Sequence, residues 1–318
     1  MTILALDFGG SHASSAVVSG GRVLASSSIQ DDGGSLQQLL PQLAMRLREN
    51  CHAAGVAPAE CAGLGIGYPG VVDSRSGEIL STLGGKLDDG GVDELRAWSE
   101  SVFHLPVKIE NDARLALLGE HSAGAGRGFE DVVMVTLGTG IGAAAMLGNR
   151  LLHSRLGHAG SMSGHFPVQL NGRHCACGGI GCAEAEASTS VLPAIAAEWP
   201  GFSASRLSRE LHLDFAKLFR VREAGDRVAA EILDHCIAVW SALAVALIHA
   251  YGPELLLFGG GVMQRGEEIL EPIRAWVAQH SWKTNRGLTQ IRRVALGGDA
   301  ALIGAEVLFS EQADTQLI

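Results

Sequence analysis

Leu4-Ala5-Leu6-Asp7-Phe8-Gly9-Gly10-Ser11 is an apolar strand that ends in a carboxylate and runs into glycines. An apolar segment to Val18, a Gly20-Gly21 turn and Arg22-Val23-Leu24 follow it. The same order returns in Val133-Met134-Val135-Thr136-Leu137-Gly138-Thr139-Gly140, with an apolar segment to Leu147, a Gly148-Asn149 turn and Arg150-Leu151-Leu152. Each copy reads strand, glycine loop, strand, turn, strand. A duplicated supersecondary unit predicts two similar domains facing each other across a ligand-binding cleft. Chance likeness between glycine turns is the competing reading.

Length and composition agree with two α/β domains. At 318 residues the chain exceeds the size at which single cores stop growing. Apolar residues make up 47% and aromatics only 5%, with 42 glycines, a mixture suited to turn-rich α/β architecture. The net charge of −10 repels a phosphate backbone, so no nucleic-acid partner is expected. The longest apolar stretch, 238–251, carries Ser241 and His249 and is shorter than the roughly 20 residues that cross a bilayer, which predicts a buried helix and no membrane partner. No charged-then-apolar leader precedes the first strand, and a cytoplasmic address is expected.

Apolar spacing predicts helices over 36–48, 92–103, 114–121, 222–251, 267–280 and 300–309. Strands are predicted over 62–66, 107–110, 254–258 and 291–295. The last helix is expected to return to the first domain. The predicted division is 1–116 plus about 300–318 in an N-terminal domain, and 117–299 in a larger C-terminal one.

Glycine loops suit phosphate because missing Cβ atoms let successive N–H groups approach the oxygens. Asp7-Phe8-Gly9-Gly10-Ser11 and Gly138-Thr139-Gly140-Ile141-Gly142 both meet that need, and neither has the Lys of a P-loop. A plain hairpin turn is the alternative for each. Asp7 suits hydrated Mg²⁺ beside phosphates, or a turn-forming carboxylate that caps local amides.

Glu110-Asn111-Asp112-Ala113 lies between a strand and a helix, where open α/β sheets place ligands. A carboxylate there can take a proton from an acceptor hydroxyl, and an amide can orient that acceptor. Helix capping is the alternative for Asn111 and Asp112. Leu256-Leu257-Phe258-Gly259-Gly260-Gly261 suits either adenine and ribose or a strand-to-helix turn.

His165 is followed by Cys175-Ala176-Cys177-Gly178-Gly179-Ile180-Gly181-Cys182-Ala183-Glu184. Three thiolates and an imidazole complete a tetrahedral shell for structural Zn²⁺. His174 competes with His165 for the fourth place. A redox role is disfavoured because Cys-x-Cys is not the usual Cys-x-x-Cys. Cys51, Cys61 and Cys236 read as buried thiols.

In this order these residues resemble the ROK family of bacterial sugar kinases and repressors, within the actin-like ATPase superfamily, and the resemblance covers nearly the whole chain. Its most specific part is Gly164-His165 through Glu184, joined by Glu110–Ala113 and the 136–142 loop. It implies two actin-like, ribonuclease H-like α/β domains flanking a cleft, and ATP-dependent phosphorylation of a hexose hydroxyl, by analogy the 6-hydroxyl. Asp112 is the implied base, and Asn111, His165 and Glu184 the implied sugar ligands. Gly9, Gly10, Gly138, Thr139 and Gly140 lie around the ATP phosphates in that reading, while Ser11 and Gly260 are nucleotide-contact candidates from their own glycine loops. Tyr68-Pro69-Gly70 resembles a turn that lines the sugar site, and a homodimer is expected.

Two departures stand out. The family's Ala-Gly-Glu-x-Gly-His becomes Ala159-Gly160-Ser161-Met162-Ser163-Gly164-His165, one residue longer and with Ser161 in place of the glutamate. Thr82-Leu83-Gly84-Gly85-Lys86 lacks the Asn and Trp often found there. The resemblance therefore leaves the sugar unassigned. A non-catalytic sugar sensor is the second expectation, but relatives that act as repressors carry a helix-turn-helix before the first loop, for which the residues ahead of Asp7 leave no room.

Overall fold

Alternation along the opening strand decides how the first half packs. In the computed structural model, which describes residues 1–10, 12–30, 35–82, 87 and 91–310, β1 (Thr2–Phe8), β2 (His12–Ser19) and β3 (Arg22–Gln30) form an antiparallel meander. Leu4, Leu6 and Phe8 join the leucines of α1 (Leu36–Ala54) in one buried cluster, as the period of two requires. Then come β4 (Leu64–Tyr68), a ribbon of β5 (Gly70–Asp73) and β6 (Glu78–Thr82), α2 (Val92–Phe103), β7 (Val107–Asn111) and α3 (Asp112–Ala123). Strands β4 and β7 add in parallel, which gives the order β3-β2-β1-β4-β7.

The second half repeats this plan. It contains β8 (Val132–Leu137), β9 (Ile141–Leu147), β10 (Arg150–Leu151), α4 (Ala183–Ala187), α5 (Leu192–Glu198), α6 (Phe215–Glu223), α7 (Arg227–Tyr251), β11 (Leu255–Gly259), α8 (Gly266–His280) and β12 (Gln290–Arg293). The sheet order is β10-β9-β8-β11-β12. The likeness reaches the turns: Gly20 and Gly21 have φ of 61° and 71°, Gly148 and Asn149 57° and 61°. Two left-handed central residues are what a type I′ hairpin demands.

Packing divides the chain into two units. The first holds Met1–Met134, Ala144–Ser161 and the chain from Val294 onward, and the second holds Val135–Ala143 and Met162–Arg293. A boundary at residue 116 would cut α3, which packs whole with the first unit.

Helix α9 (Ala300–Val307) crosses α3 through glycines. A Cβ on Gly304 would stand 1.8 Å from the carbonyl oxygen of Leu115, and one on Gly119 would stand 2.0 Å from that of Ala300. Backbone cannot yield as a flexible side chain can. Gly304→Ala is therefore expected to destabilise the first unit by about 3 kcal/mol. Urea unfolding followed by circular dichroism checks this, and an unchanged midpoint would refute the close crossing.

One predicted helix is corrected. The span 222–251 is broken between α6 and α7 at Gly225, whose φ is 83°, and the Asp226 carboxylate accepts the Ala229 N–H at 3.0 Å to start α7. Helix α7 spans 25 residues and contains an 18-residue window of mean hydropathy 1.7, long and apolar enough to cross a membrane by that measure, yet 56% of that window is buried. Trp240 sits fully buried within it and packs on Phe215, with ring centroids 5.2 Å apart. It is the core helix of the second unit.

Candidate functional site

In the first unit the candidate residues gather at the carboxyl ends of parallel strands. Asp7 pairs in register with Gly67 on β4, and Gly67 with Glu110 on β7. A Cβ on Gly67 would stand 2.7 Å from Asp7 Oδ1 and 3.6 Å from the Cα of Asp112, so glycine lets the two acidic positions approach. Gly9 donates its N–H to the His12 carbonyl at 2.9 Å, which turns the loop after β1. Gly10 follows in an exposed bend, and Ser11 lies outside the described residues, as do 83–86.

Asn111 ends β7 and caps α3. Its Oδ1 accepts the Arg114 N–H at 3.1 Å, while its Nδ2 donates to the Gly70 carbonyl at 2.9 Å and to Asp112 Oδ1 at 3.0 Å. Gly70 has φ 146°, and a Cβ there would stand 2.3 Å from the Ser81 carbonyl oxygen, so only glycine presents this carbonyl to Asn111. Asp112 is half-buried, and its Oδ1 also accepts the Ala113 N–H at 2.8 Å. One carboxylate oxygen is thus held at the helix start, and the carboxyl group has a fixed direction.

Behind these residues lies a buried ion pair that the sequence reading passed over. Glu110 and Arg114 are both buried, with Nη1 to Oε1 at 3.3 Å. Burial pushes the Glu110 carboxyl up, and the guanidinium of Arg114 pulls against it. Arg114 also donates to the carbonyls of Leu152 and Ala159 at 3.2 and 2.8 Å. It thereby fastens the start of α3 to the chain after β10. Helical i, i+4 spacing gives no signal for this pair, because Glu110 lies on β7 and Arg114 on α3. His153 nearby is driven down to about 4 by burial, with Arg114 and Arg75 adding to the effect.

In the second unit the 138–140 loop is gripped from one side. Gly138 donates to the Gly140 carbonyl at 3.0 Å, Thr189 donates to the Gly138 carbonyl at 3.0 Å, and Ser190 to the Thr139 carbonyl at 3.1 Å. A Cβ on Gly138 would meet nothing within 4 Å, so that face is open. Gly260, with φ 89°, lies against the base of the loop, where a Cβ would stand 2.2 Å from the Leu137 carbonyl oxygen. It is thus a close-packing glycine beside the loop.

His165, Cys175, Cys177 and Cys182 bring one ligand atom each to within 4.8 Å of the others. The sulfurs of Cys177 and Cys182 are 3.7 Å apart, and the Cys175 sulfur is 3.4 Å from His165 Nδ1. Tetrahedral zinc, with bonds of ~2.3 Å to sulfur and ~2.0 Å to nitrogen, has edges of ~3.8 and ~3.5 Å. The donor set fits that ion. Burial, reinforced by the neighbouring sulfurs, pushes the Cys182 thiol up to about 12, so a thiolate at that position calls for a cation. Among the described residues the group that could hold a metal contains His165 and not His174, whose backbone forms a bridge with Ile180. Glu184, on α4, has Oε1 3.9 Å from His165 Nδ1, and its Oε2 accepts the Ile141 N–H at 2.8 Å. Ser161 donates its hydroxyl to the His158 carbonyl at 3.1 Å.

Known proteins resemble the chain over most of its length. A glucokinase from Halalkalibacterium halodurans is 31% identical over 293 residues, 89% of this chain and 86% of the relative. A xylose repressor from Caldicellulosiruptor bescii is 29% identical and matches 88% of this chain but 72% of its own. The crystal structure of a ROK family glucokinase from Streptomyces griseus in complex with glucose and AMPPNP superposes with a TM-score of 0.80 at 29% identity, covering 97% of this chain and 99% of that one. Its fold is thus that of known ROK kinases, and with the ROK family pattern matching residues 3–312, the chain belongs to the ROK family.

Proposed function

We propose that the chain is an ATP-dependent hexose kinase that uses Asp112 as its base and acts on the 6-hydroxyl. The observation that carries this reading is the Asn111–Asp112 pair, held at the ends of β4 and β7 by Gly70 and Ala113 in a chain so similar to a glucokinase with glucose and AMPPNP. The Asp112 carboxylate accepts the hydroxyl proton as the sugar oxygen bonds to the γ-phosphorus. The bond to the bridging oxygen breaks, and ADP leaves with its electron pair.

In the first unit, Asn111 and Gly70 orient the sugar, and the loop of Gly9, Gly10 and Ser11 borders phosphate, with Gly9 shaping the turn through its bond to His12. Asp7 would hold Mg²⁺ through its waters, and the ion would supply charge neutralisation at the phosphates. In the second unit, Gly138, Thr139 and Gly140 receive phosphate oxygens, Gly260 borders the nucleoside, and His165 and Glu184 take sugar hydroxyls. His165, Cys175, Cys177 and Cys182 would hold zinc, whose contribution there is structural. The expected setting is the cytoplasm, where ATP is at hand and thiols stay reduced, and the expected assembly is a homodimer.

Measuring ADP release over a panel of hexoses with ATP and Mg²⁺ tests the reading. Turnover with one or a few sugars is expected, with glucose the first candidate. Sugar binding without ADP release from any of them would favour a sugar sensor instead, the alternative that Ser161 raises.

A further inference from the structure

The segment that follows the last candidate zinc ligand does more than close the metal knuckle. Cys182 is the N-cap of α4, so Glu184 stands two residues, about half a turn, beyond the last member of the ligand cluster. Over Glu184 to Ser190 this segment meets the glycine loop at three places. Glu184 Oε2 accepts the Ile141 N–H, and the N–H groups of Thr189 and Ser190 reach the carbonyls of Gly138 and Thr139. The carboxylate lies so close that a Cβ on Gly140 would stand 2.4 Å from Oε2. The segment itself is anchored from behind by α7. His235 donates to the Glu186 carbonyl at 3.2 Å, and Trp240 donates to that of Ala187 at 3.1 Å.

We propose that Glu184 is a positioning residue for nucleotide: its carboxylate straps the corner at Gly140 and Ile141, so that the loop is already shaped for phosphate before sugar arrives. This rests on the kinase reading for the identity of the ligand, while the strap itself is independent of it. The role differs from contact with sugar hydroxyls, because it acts on a backbone amide and requires no sugar. A charged acceptor on that amide holds the loop more firmly than water does.

The test uses the full chain and AMPPNP without sugar. Glu184→Ala is expected to weaken AMPPNP binding by calorimetry at least about 10-fold, whereas Glu184→Gln, whose side-chain carbonyl still accepts the Ile141 N–H, stays within about 3-fold of the parent. Amide hydrogen exchange across 138–141 is read in parallel, and it should quicken in the alanine variant alone. Equal AMPPNP affinity in parent and alanine variant would overturn the nucleotide role, as would equal losses in both variants. Unchanged exchange would overturn the strap. A parent chain that binds no AMPPNP would refute the kinase reading and the nucleotide role together, and the exchange result would still decide the strap.

Discussion

An Asp112→Asn protein is expected to bind hexose and AMPPNP as the parent does while its turnover falls by at least about 10²-fold. The substitution is informative because of what Asp112 already touches. Its Oδ1 accepts the Ala113 N–H and an amide hydrogen of Asn111. An asparagine oxygen can accept both, and asparagine serves a helix start about as well as aspartate does. Both of these contacts are therefore retained, while the capacity to accept a proton is removed. Phosphoryl transfer to an alcohol needs that capacity. Steady-state ADP release together with calorimetry of each ligand decides the matter: unchanged turnover would reduce Asp112 to a residue that fastens its own helix.

Loss of one thiolate should empty the metal site. In Cys182→Ser, zinc measured by elemental analysis is expected to fall from about one ion per chain to less than a tenth. Removing a direct ligand should weaken binding by more than the roughly 10- to 100-fold seen when an outer-shell partner is lost. The reason is local. Cys182 is buried, caps α4 and lies 3.7 Å from the sulfur of Cys177, so no other side chain replaces it from the described residues of the group. The chain wraps the knuckle through left-handed Gly178 and Gly181, with φ of 89° and 68°. Its buried cluster of described residues holds Cys175, Cys182 and Ala185, so the metal would add to backbone hydrogen bonds around a small core. Its thermal unfolding should accordingly begin at lower temperature. A variant that keeps one zinc and an unchanged melting curve would show that these four residues are not the metal site.

Local chemistry made half of this molecule legible. Gly20-Gly21 and Gly148-Asn149 specify type I′ turns whatever surrounds them, so both hairpins of the duplication could be read directly. The knuckle was equally plain, since its cysteines and glycines lie within a few residues of one another. Helix limits read from apolar spacing erred where a single residue outweighed the period: Gly225 breaks the run into α6 and α7 although apolar residues continue on both sides.

What the amino-acid order determined by itself was the duplicated strand and glycine-loop plan, the thiol cluster and the Asn111–Asp112 position at a strand end, because each depends on neighbours a few residues apart. Tertiary structure alone decided the five-strand order shared by the two sheets, the grouping of His165 with the three cysteines, the buried Glu110–Arg114 pair and the grip of Glu184 on Ile141. Parallel strand order and contacts between distant segments are settled by which faces bury one another, a condition that only the folded chain satisfies.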